Sequence, residues 1–218
     1  MTTLSPGLTF VIGGARSGKS AYAVDLATAL RRPTLYVATA EALDAEMKAR
    51  IRRHRAQRPQ GWRTFEEPLE FAQRIATEAE AGSTVIVDCL TVWLGNLLEK
   101  YVRDASNPRV AETKRTRRET LAELRLLCRL RQTKGVNLIV ISNEVGAGLV
   151  PPYPLGRVYR DLLGEANQFV AQHADDVLLM VAGIPIDLKA LVRSEDKPCA
   201  GDAQTRPAHG SGTTRDET

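Results

Sequence analysis

The feature that most constrains this chain is a glycine-rich loop, residues 13–20 (GGARSGKS), set between an apolar strand and a helix. The loop matches the pattern G-x-x-x-x-G-K-[ST]; strand-forming residues Leu8–Ile12 precede it, and a helical segment, Ala21–Leu30, follows it. In such a loop, backbone N–H groups and the positive end of the helix dipole face phosphate oxygens. The pattern predicts a nucleoside triphosphate site in which Lys19 reaches the β- and γ-phosphates and Ser20 binds Mg²⁺. The alternative, a glycine-rich turn with an accidental Lys-Ser pair, leaves the flanking strand and helix unexplained.

A carboxylate that follows a second apolar strand is the candidate partner of Ser20 in holding magnesium. Thr84–Val87 are four strand-forming residues, and Asp88 comes directly after them. Nucleotide sites with a phosphate loop usually hold Mg²⁺ with a carboxylate of this kind as well. In the alternative interpretation, Asp88 ends the strand and caps the helix that begins near Leu90. We expect Cys89 to be a small packing residue and not a nucleophile.

The rest of the chain alternates between apolar, β-branched runs and longer segments with helical periodicity. The five runs are Leu8–Ile12, Thr34–Ala38, Thr84–Val87, Val136–Ile141 and Val177–Val181. Apolar residues recur three and four apart in the segments 116–133 and 155–174, which predicts helices there. Continuous apolar strands separated by helices predict an α/β domain whose mostly parallel sheet is covered by helices on both faces.

The end of the chain has a different composition. After about Val192 the periodic pattern stops, and the following residues are rich in Asp, Gly, Pro, Ser and Thr. Segments of this composition do not bury enough apolar surface to fold. We therefore expect one domain over residues 1–193 and a disordered tail over residues 194–218.

Cysteine spacing and hydropathy favour a cytoplasmic protein. Cys89, Cys128 and Cys199 lie far apart without a C-x-x-C spacing, which argues against a disulfide framework or a zinc cluster. No apolar run approaches the roughly 18 residues that a membrane-spanning helix needs. The first six residues lack the charged and apolar regions of a signal peptide. We expect no membrane insertion.

Positive charge is concentrated in one segment of the chain. The formal net charge is +4, yet Lys48–Arg63, here called the cationic segment, holds seven Lys and Arg residues and no acid. A second basic stretch, Lys114–Lys134, also contains two glutamates and is expected to be a solvated helix face. The cationic segment suits a triphosphate or a nucleic acid, and a solvated helix face is the alternative. Since only Trp62 and Phe65 are aromatic neighbours and no nucleic-acid motif occurs, we expect no nucleic-acid partner.

One histidine, His54, lies within the cationic segment. The spacing of Met47, Ile51 and His54 places them on one face of a helix predicted over Glu41–Gln57. The surrounding positive charge disfavours the imidazolium and keeps the ring neutral and nucleophilic. His54 is therefore a candidate nucleophile, and a structural or solvent-facing histidine is the alternative.

Several segments together resemble the bifunctional adenosylcobinamide kinase / adenosylcobinamide-phosphate guanylyltransferases of cobalamin biosynthesis. The phosphate loop alone is generic, whereas residues 142–151 (SNEVGAGLVP) and 157–168 (RVYRDLLGEANQ) are specific. The resembling segments occur in order over most of residues 8 to 185. The others are Gly13–Ser20, Tyr36–Glu41, Glu46–Arg58 with Pro59 and Trp62, Val87–Leu98, and Ala174-Asp175.

The resemblance implies a RecA-like P-loop domain that phosphorylates the aminopropanol hydroxyl of adenosylcobinamide with ATP or GTP. The same chain would then transfer GMP from GTP to adenosylcobinamide phosphate through a guanylylated histidine, giving adenosylcobinamide-GDP and pyrophosphate. Some family members have two adjacent histidines at this point, whereas here Arg53 precedes His54. The resemblance also implies a homo-oligomer, a trimer.

Residue roles follow from the same resemblance. The catalytic residues would be His54 and Lys19, and Ser20 and Asp88 would hold Mg²⁺. Independently of the resemblance, Asn143 and Glu144 follow the strand Val136–Ile141, so we expect them at the carboxyl edge of the sheet and, with the loop at residues 146–151, on the corrinoid side. The nucleotide-binding residues would be Gly13, Gly14, Ala15, Arg16, Ser17, Gly18, Lys19, Ser20, Thr39, Ala40, Glu41, Ala56, Gln57, Arg58, Pro59, Glu66 and Asp88.

Three other functions stay open at this point. A different small-molecule P-loop kinase would need Lys19, Ser20 and Asp88 but not His54. A RecA-like nucleic-acid-dependent NTPase would use the basic stretches and would bind nucleic acid in a salt-sensitive way. A nucleotide-binding regulator without catalysis would need neither a nucleophile nor a magnesium ligand.

Overall fold

Seven strands form one sheet in the part of the chain that the computed structural model describes, residues 7–41, 52, 55–56 and 58–195. The sheet order is β3-β2-β4-β5-β1-β6-β7; all neighbouring strands are parallel except the antiparallel pair β6 and β7. The strands are β1 (Leu8–Gly13), β2 (Thr34–Ala38), β3 (Arg63–Glu66), β4 (Thr84–Asp88), β5 (Asn137–Asn143), β6 (Asp176–Val181) and β7 (Ile184–Asp187).

Helices join these strands and cover both faces of the sheet, which confirms the predicted α/β P-loop fold with a mostly parallel sheet. None of the helices in the described ranges is long and apolar enough to cross a membrane. They are α1 (Lys19–Ala29), α2 (Phe71–Glu78), α3 (Leu90–Tyr101), α4 (Val110–Lys134), α5 (Pro154–His173) and α6 (Leu188–Glu195).

The two faces of the sheet carry separate apolar cores. Helices α2 to α5 pack on one face, and α1 packs on the other through Ala23 and Ala27. Strand β4 contributes to both cores, since Val85 and Val87 belong to the larger one and Ile86 to the smaller one. A strand buried on both faces has no polar side to present, which explains the continuous apolar runs in the sequence.

All five predicted strands are present, and the sequence patterns do not predict β3 and β7. These two strands form the edges of the sheet. In β3 only Phe65 is buried, and no residue of β7 is buried. Edge strands that face water lack the apolar run on which the prediction depends.

Two predicted segments fall partly or wholly outside the described residues. Of the helix predicted over residues 41–57, only residues 41, 52, 55 and 56 are described. Helix α6 runs to Glu195, and the predicted tail lies outside the described residues beyond that point. The domain boundary at residue 193 therefore stays a prediction.

A half-buried glutamate makes the free energy of unfolding depend on pH. Glu123 of α4 accepts the backbone N–H of Ala72 at 2.6 Å, and burial, then Glu70 and Glu67, raises its pKa to about 7. Because the folded-state pKa exceeds the unfolded one, the folded state binds the proton more tightly, and stability falls as pH rises from about 4.5 to 7. We expect Glu123→Gln to reduce this fall by about 1–2 kcal/mol after allowance for solvent screening, measured by urea unfolding at pH 5 and pH 7.5. An equal fall in both proteins would contradict the assignment to Glu123.

Candidate active site

The phosphate loop joins the carboxyl end of β1 to the first turn of α1. Gly18 has a left-handed φ of 95° directly before α1 begins at Lys19. A Cβ atom on Gly13 would lie 2.5 Å from the backbone oxygen of Met180 on the neighbouring strand β6. The turn between β6 and β7 also packs on the loop, because Gly183 N–H donates to the Ser17 carbonyl oxygen at 3.0 Å. Glycines 13 and 18 are thus required by close packing and by backbone conformation, respectively.

The lysine of the loop is held against the loop backbone. Lys19 is 7% exposed; its Nζ donates to the Gly14 carbonyl oxygen at 2.6 Å and lies 3.4 Å from Ser17 Oγ. Ser20 follows in the first turn of α1 and is half-buried. Ala15 and Arg16 are exposed on the outer side of the loop, and Arg16 has a φ of 58°. A phosphate bound by the loop N–H groups would lie next to the Lys19 ammonium.

The predicted magnesium carboxylate lies at the same edge of the sheet. Asp88 ends β4, and β5 separates this strand from β1. The Tyr36 hydroxyl, which comes from β2 on the α1 face of the sheet, donates a hydrogen bond to Asp88 Oδ2. Burial, and then the Asp88 carboxylate, raises the pKa of Tyr36 well above its usual range. Tyr36 therefore stays protonated and acts as a hydrogen-bond donor to Asp88.

The residues at this edge fit a magnesium ion that is shared with a nucleotide. The described residues contain no group of three or more His, Cys, Asp or Glu side chains that could hold a metal by themselves. Ser20 and Asp88 offer a hydroxyl and a carboxylate, which are hard oxygen donors. Mg²⁺ commonly binds through one or two carboxylates together with substrate phosphates. The donor set suits that arrangement.

Thr39 braces the segment that contains Asp88. Its side chain is fully buried; Oγ1 accepts the Cys89 N–H at 2.9 Å and donates to the Cys89 carbonyl oxygen at 2.8 Å. Its own N–H donates to the Asp88 carbonyl oxygen at 3.0 Å. Ala40, which is half-buried, and Glu41, which is exposed, follow after the end of β2. The hydroxyl of Thr39 is thus engaged with backbone, and direct contacts of these three residues with a nucleotide stay predictions.

Cys89 is not activated as a nucleophile. Burial, and then the neighbouring Asp88 charge, raises the pKa of its thiol to about 11. At neutral pH the thiol is therefore protonated, and a protonated thiol is a poor nucleophile. This agrees with the packing role predicted for it.

A second part of the site lies beside the edge strand β3. A cavity of about 560 Å³ is lined by Arg55, Arg58, Pro59 and Glu66, among others, and Arg55 forms an ion pair with Glu66. The structure thus brings together three of the predicted nucleotide-binding residues: Arg58, Pro59 and Glu66. Ala56, which is close to them in the sequence, is exposed. His54 and Gln57 lie outside the described residues.

Asn143 ends β5 and Glu144 begins the loop after it, so both lie at the carboxyl edge of the sheet, as predicted. Glu144 N–H donates to the Gly13 carbonyl oxygen at 3.1 Å, and Asn143 N–H donates to Thr91 Oγ1 at 2.9 Å. Asn167 of α5 donates from Nδ2 to the Asn143 carbonyl oxygen at 3.0 Å. Helix α5 therefore braces this loop.

The sequence patterns do not single out Tyr36, the hydrogen-bond partner of Asp88. Tyr36 lies within a continuous apolar run, Thr34–Ala38, and begins the resembling segment Tyr36–Glu41, but no pattern gives it a role of its own. A tyrosine in the interior of a parallel strand needs a partner for its hydroxyl, since a buried polar group without one is costly. That requirement is the signal that could have found it.

Comparison with known proteins places this site in a family. Residues 9–188 match the family model described as cobinamide kinase / cobinamide phosphate guanyltransferase. The chain is 44% identical over 179 residues to the bifunctional adenosylcobalamin biosynthesis protein CobP of Pseudomonas aeruginosa, covering 82% of this chain and 95% of that protein. It is 36% identical over 182 residues to the bifunctional adenosylcobalamin biosynthesis protein CobU of Escherichia coli, covering 84% and 99%.

The path of the chain is also similar to a solved structure, a prototypical ATPase from the type III secretion system of pathogenic bacteria. The TM-score is 0.49 at 11% identity, covering 89% of this chain and 55% of that one. The family match spans the phosphate loop, Asp88, the cationic segment and α5. The chain belongs to the cobinamide kinase / cobinamide phosphate guanyltransferase family.

Proposed function

We propose that this chain phosphorylates the aminopropanol hydroxyl of adenosylcobinamide with ATP or GTP and then transfers GMP from GTP to adenosylcobinamide phosphate. The observation that carries the proposal is the family match over residues 9–188, which includes both the phosphate loop and the cationic segment with His54. A kinase alone would account for the loop and Asp88. It would not account for a histidine within a segment that holds seven cations and no acid.

In the proposed kinase step, the acceptor hydroxyl oxygen attacks the γ-phosphorus of the nucleotide. The bond from the γ-phosphorus to its bridging oxygen breaks, the nucleoside diphosphate leaves, and the hydroxyl proton is released. Loop N–H groups and the Lys19 ammonium stabilise the negative charge on the transferred group. Mg²⁺ held by Ser20 and Asp88 would add positive charge beside the phosphates.

In the proposed GMP transfer, His54 splits one displacement into two. A neutral imidazole nitrogen attacks the α-phosphorus of GTP, the bond to pyrophosphate breaks, and a phosphoramidate forms. A phosphate oxygen of adenosylcobinamide phosphate then attacks the same phosphorus and releases the imidazole. The arginines of the cationic segment would compensate the charge of the leaving pyrophosphate.

Incubation of the chain with GTP labelled at the α-phosphate tests this function. We expect an acid-labile label on the protein that disappears on addition of adenosylcobinamide phosphate and reappears in adenosylcobinamide-GDP. Absence of the label together with phosphorylation of adenosylcobinamide would leave a P-loop kinase and would remove the guanylyltransferase. Salt-sensitive nucleic-acid binding with stimulated NTP hydrolysis would instead support a nucleic-acid-dependent NTPase.

The acceptor side of the site is proposed to be the loop between β5 and α5. Leu149 is 97% exposed, and Val150 and Tyr153 are about 60% exposed, close along the chain to the carboxyl edge of the sheet. An apolar surface there suits a large, partly apolar corrinoid ring, because its burial is favourable.

We expect Leu149→Ser to raise the KM for adenosylcobinamide about tenfold with little change in the KM for GTP, because one apolar contact is lost. Steady-state kinetics with each substrate varied in turn measures this. Val192→Ser is the matched control, since Val192 is also exposed but lies on α6, which follows β7 at the amino end of β6. A rise in the KM for GTP alone would contradict the acceptor assignment.

We also propose that the chain assembles as a homo-oligomer, a trimer as the family resemblance implies. The proposed location is the cytoplasm. Exposed apolar side chains of β6 and β7, Val181 at 51% and Ile184 at 66%, support association through this edge of the sheet. Light scattering would then give a mass near three times the 23.9 kDa of one chain. A mass of one chain across micromolar concentrations would overturn the trimer.

A further inference from the structure

Tyr36 contacts both parts of the candidate site. Its side chain is 1% exposed and lies on the α1 face of the sheet. The hydroxyl donates to Asp88 Oδ2, and the Arg58 guanidinium carbon lies 3.7 Å from the centre of the ring. One buried side chain thus touches the carboxylate beside the phosphate loop and an arginine of the cationic segment.

On the Asp88 side, the hydroxyl selects one orientation of the carboxylate. A carboxylate at the end of a strand rotates freely about χ2 unless a donor fixes it. The Tyr36 hydroxyl donates to Oδ2 from the β2 side and thereby restricts the rotation of the carboxylate group. A hydrogen bond to an ionised group is among the stronger ones in proteins.

On the Arg58 side, the ring of Tyr36 contacts the guanidinium. Arg58 Nε is buried without a hydrogen bond to any described residue, and Nη1 reaches Thr64 Oγ1 only at 3.5 Å. A guanidinium over an aromatic face at 3.7 Å is within the range of an attractive cation–π contact. The ring of Tyr36 therefore helps to hold the Arg58 guanidinium in place.

We propose that Tyr36 is a positioning residue that aligns the two parts of the site, its hydroxyl orienting Asp88 and its ring seating Arg58. The inference rests on the proposed function, in which Asp88 holds Mg²⁺ and the cationic segment takes part in GMP transfer. It predicts that the hydroxyl and the ring have separable effects. Removal of the hydroxyl alters the cation dependence of nucleotide binding, and removal of the ring alters GMP transfer in addition.

Tyr36→Phe removes the hydroxyl and keeps the ring. We expect the Mg²⁺ concentration that half-saturates binding of α,β-methylene GTP to rise about tenfold, because Asp88 loses a charge-assisted hydrogen bond. Binding measured in EDTA should change less than twofold. Calorimetry with this analogue reports binding alone, since its P–C–P bridge blocks GMP transfer and no acceptor is present.

Tyr36→Leu removes the ring as well. We expect the rate of protein labelling by α-labelled GTP at saturating Mg²⁺ to fall a further three- to tenfold below that of Tyr36→Phe, because Arg58 loses its cation–π contact. Phosphorylation of adenosylcobinamide by ATP should match that of Tyr36→Phe within twofold. Thermal unfolding checks that each variant is folded, and Tyr36→Met, whose longer and more flexible side chain fills the site differently, replaces Tyr36→Leu if that variant does not fold.

Tyr101→Phe is the matched control. Tyr101 also lies beneath an arginine, with the Arg115 guanidinium carbon 4.5 Å from the ring centre, but it ends α3 at about 16 Å from Leu90 along the helix. Loss of the Tyr101 hydroxyl should leave the Mg²⁺ dependence of nucleotide binding unchanged. If the wild-type chain does not bind the analogue, the proposed function fails together with this inference. If the wild type binds and Tyr36→Phe matches it, or if Tyr36→Leu equals Tyr36→Phe in labelling, only the role of Tyr36 is overturned.

Discussion

Lys19→Met is expected to lower both phosphorylation of adenosylcobinamide and GMP transfer by at least about 100-fold. Both proposed reactions place a triphosphate on the same loop, so one lysine serves both. The ammonium is already held in the loop, 7% exposed and 2.6 Å from the Gly14 carbonyl oxygen. Methionine has a similar length without charge, and it therefore removes the interaction with phosphate while filling the same space.

The assays are ATP-dependent phosphorylation, labelling by α-labelled GTP and the dissociation constant for α,β-methylene GTP. Lys189→Met is the matched control, because Lys189 is a half-buried lysine whose Nζ donates to the Ala174 carbonyl oxygen. Ala174 precedes β6, at the amino end of the parallel strands, and the phosphate loop follows β1 at the carboxyl end. Retention of either activity by Lys19→Met would overturn the shared nucleotide site, and loss of activity in Lys189→Met would indicate a general effect on folding.

The central strands and the phosphate loop could be predicted because their signals are local. Each inner strand is a continuous apolar run, and the loop is a spacing of glycines with Lys19 and Ser20 between a strand and a helix. The edge strand β3 carries charged residues on its exposed positions, so the same rule does not find it. Local signals therefore predict the fold class and the loop between β1 and α1, but not the edges of the sheet.

The link between the two parts of the site could not be predicted in the same way. Tyr36 meets Asp88 because β2 and β4 pair in one register, with Tyr36 beside Ile86 and Ala38 beside Asp88. It meets Arg58 because the chain returns to β2 through the edge strand β3. Both contacts join residues more than 20 positions apart, and no spacing within a short segment encodes them. The register between β2 and β4 is what brings Tyr36, a tyrosine within an apolar run, next to Asp88.

His54→Asn is expected to abolish GMP transfer, by at least about 1,000-fold, while most of the phosphorylation activity is retained. In the proposed function only GMP transfer forms a covalent bond to the protein. Asparagine keeps a polar side chain of comparable reach but has no nucleophilic nitrogen. Because Arg53 precedes His54, the chain has no second histidine in the cationic segment to replace it.

Three measurements on the same preparation test this prediction. Labelling by α-labelled GTP should disappear, phosphorylation by ATP should stay within about threefold of wild type, and binding of α,β-methylene GTP should change little. His173→Asn is the matched control, since His173 is an exposed histidine stacked on Phe169 at the end of α5, with ring centres 4.3 Å apart. Equal loss of both reactions in His54→Asn would make His54 a structural or shared residue. Retained labelling would place the nucleophile elsewhere, and His173 would then be tested by the same labelling assay. A selective loss of labelling would show that His54 serves GMP transfer alone, and the Lys19→Met result would then show whether one loop binds the nucleotide for both reactions.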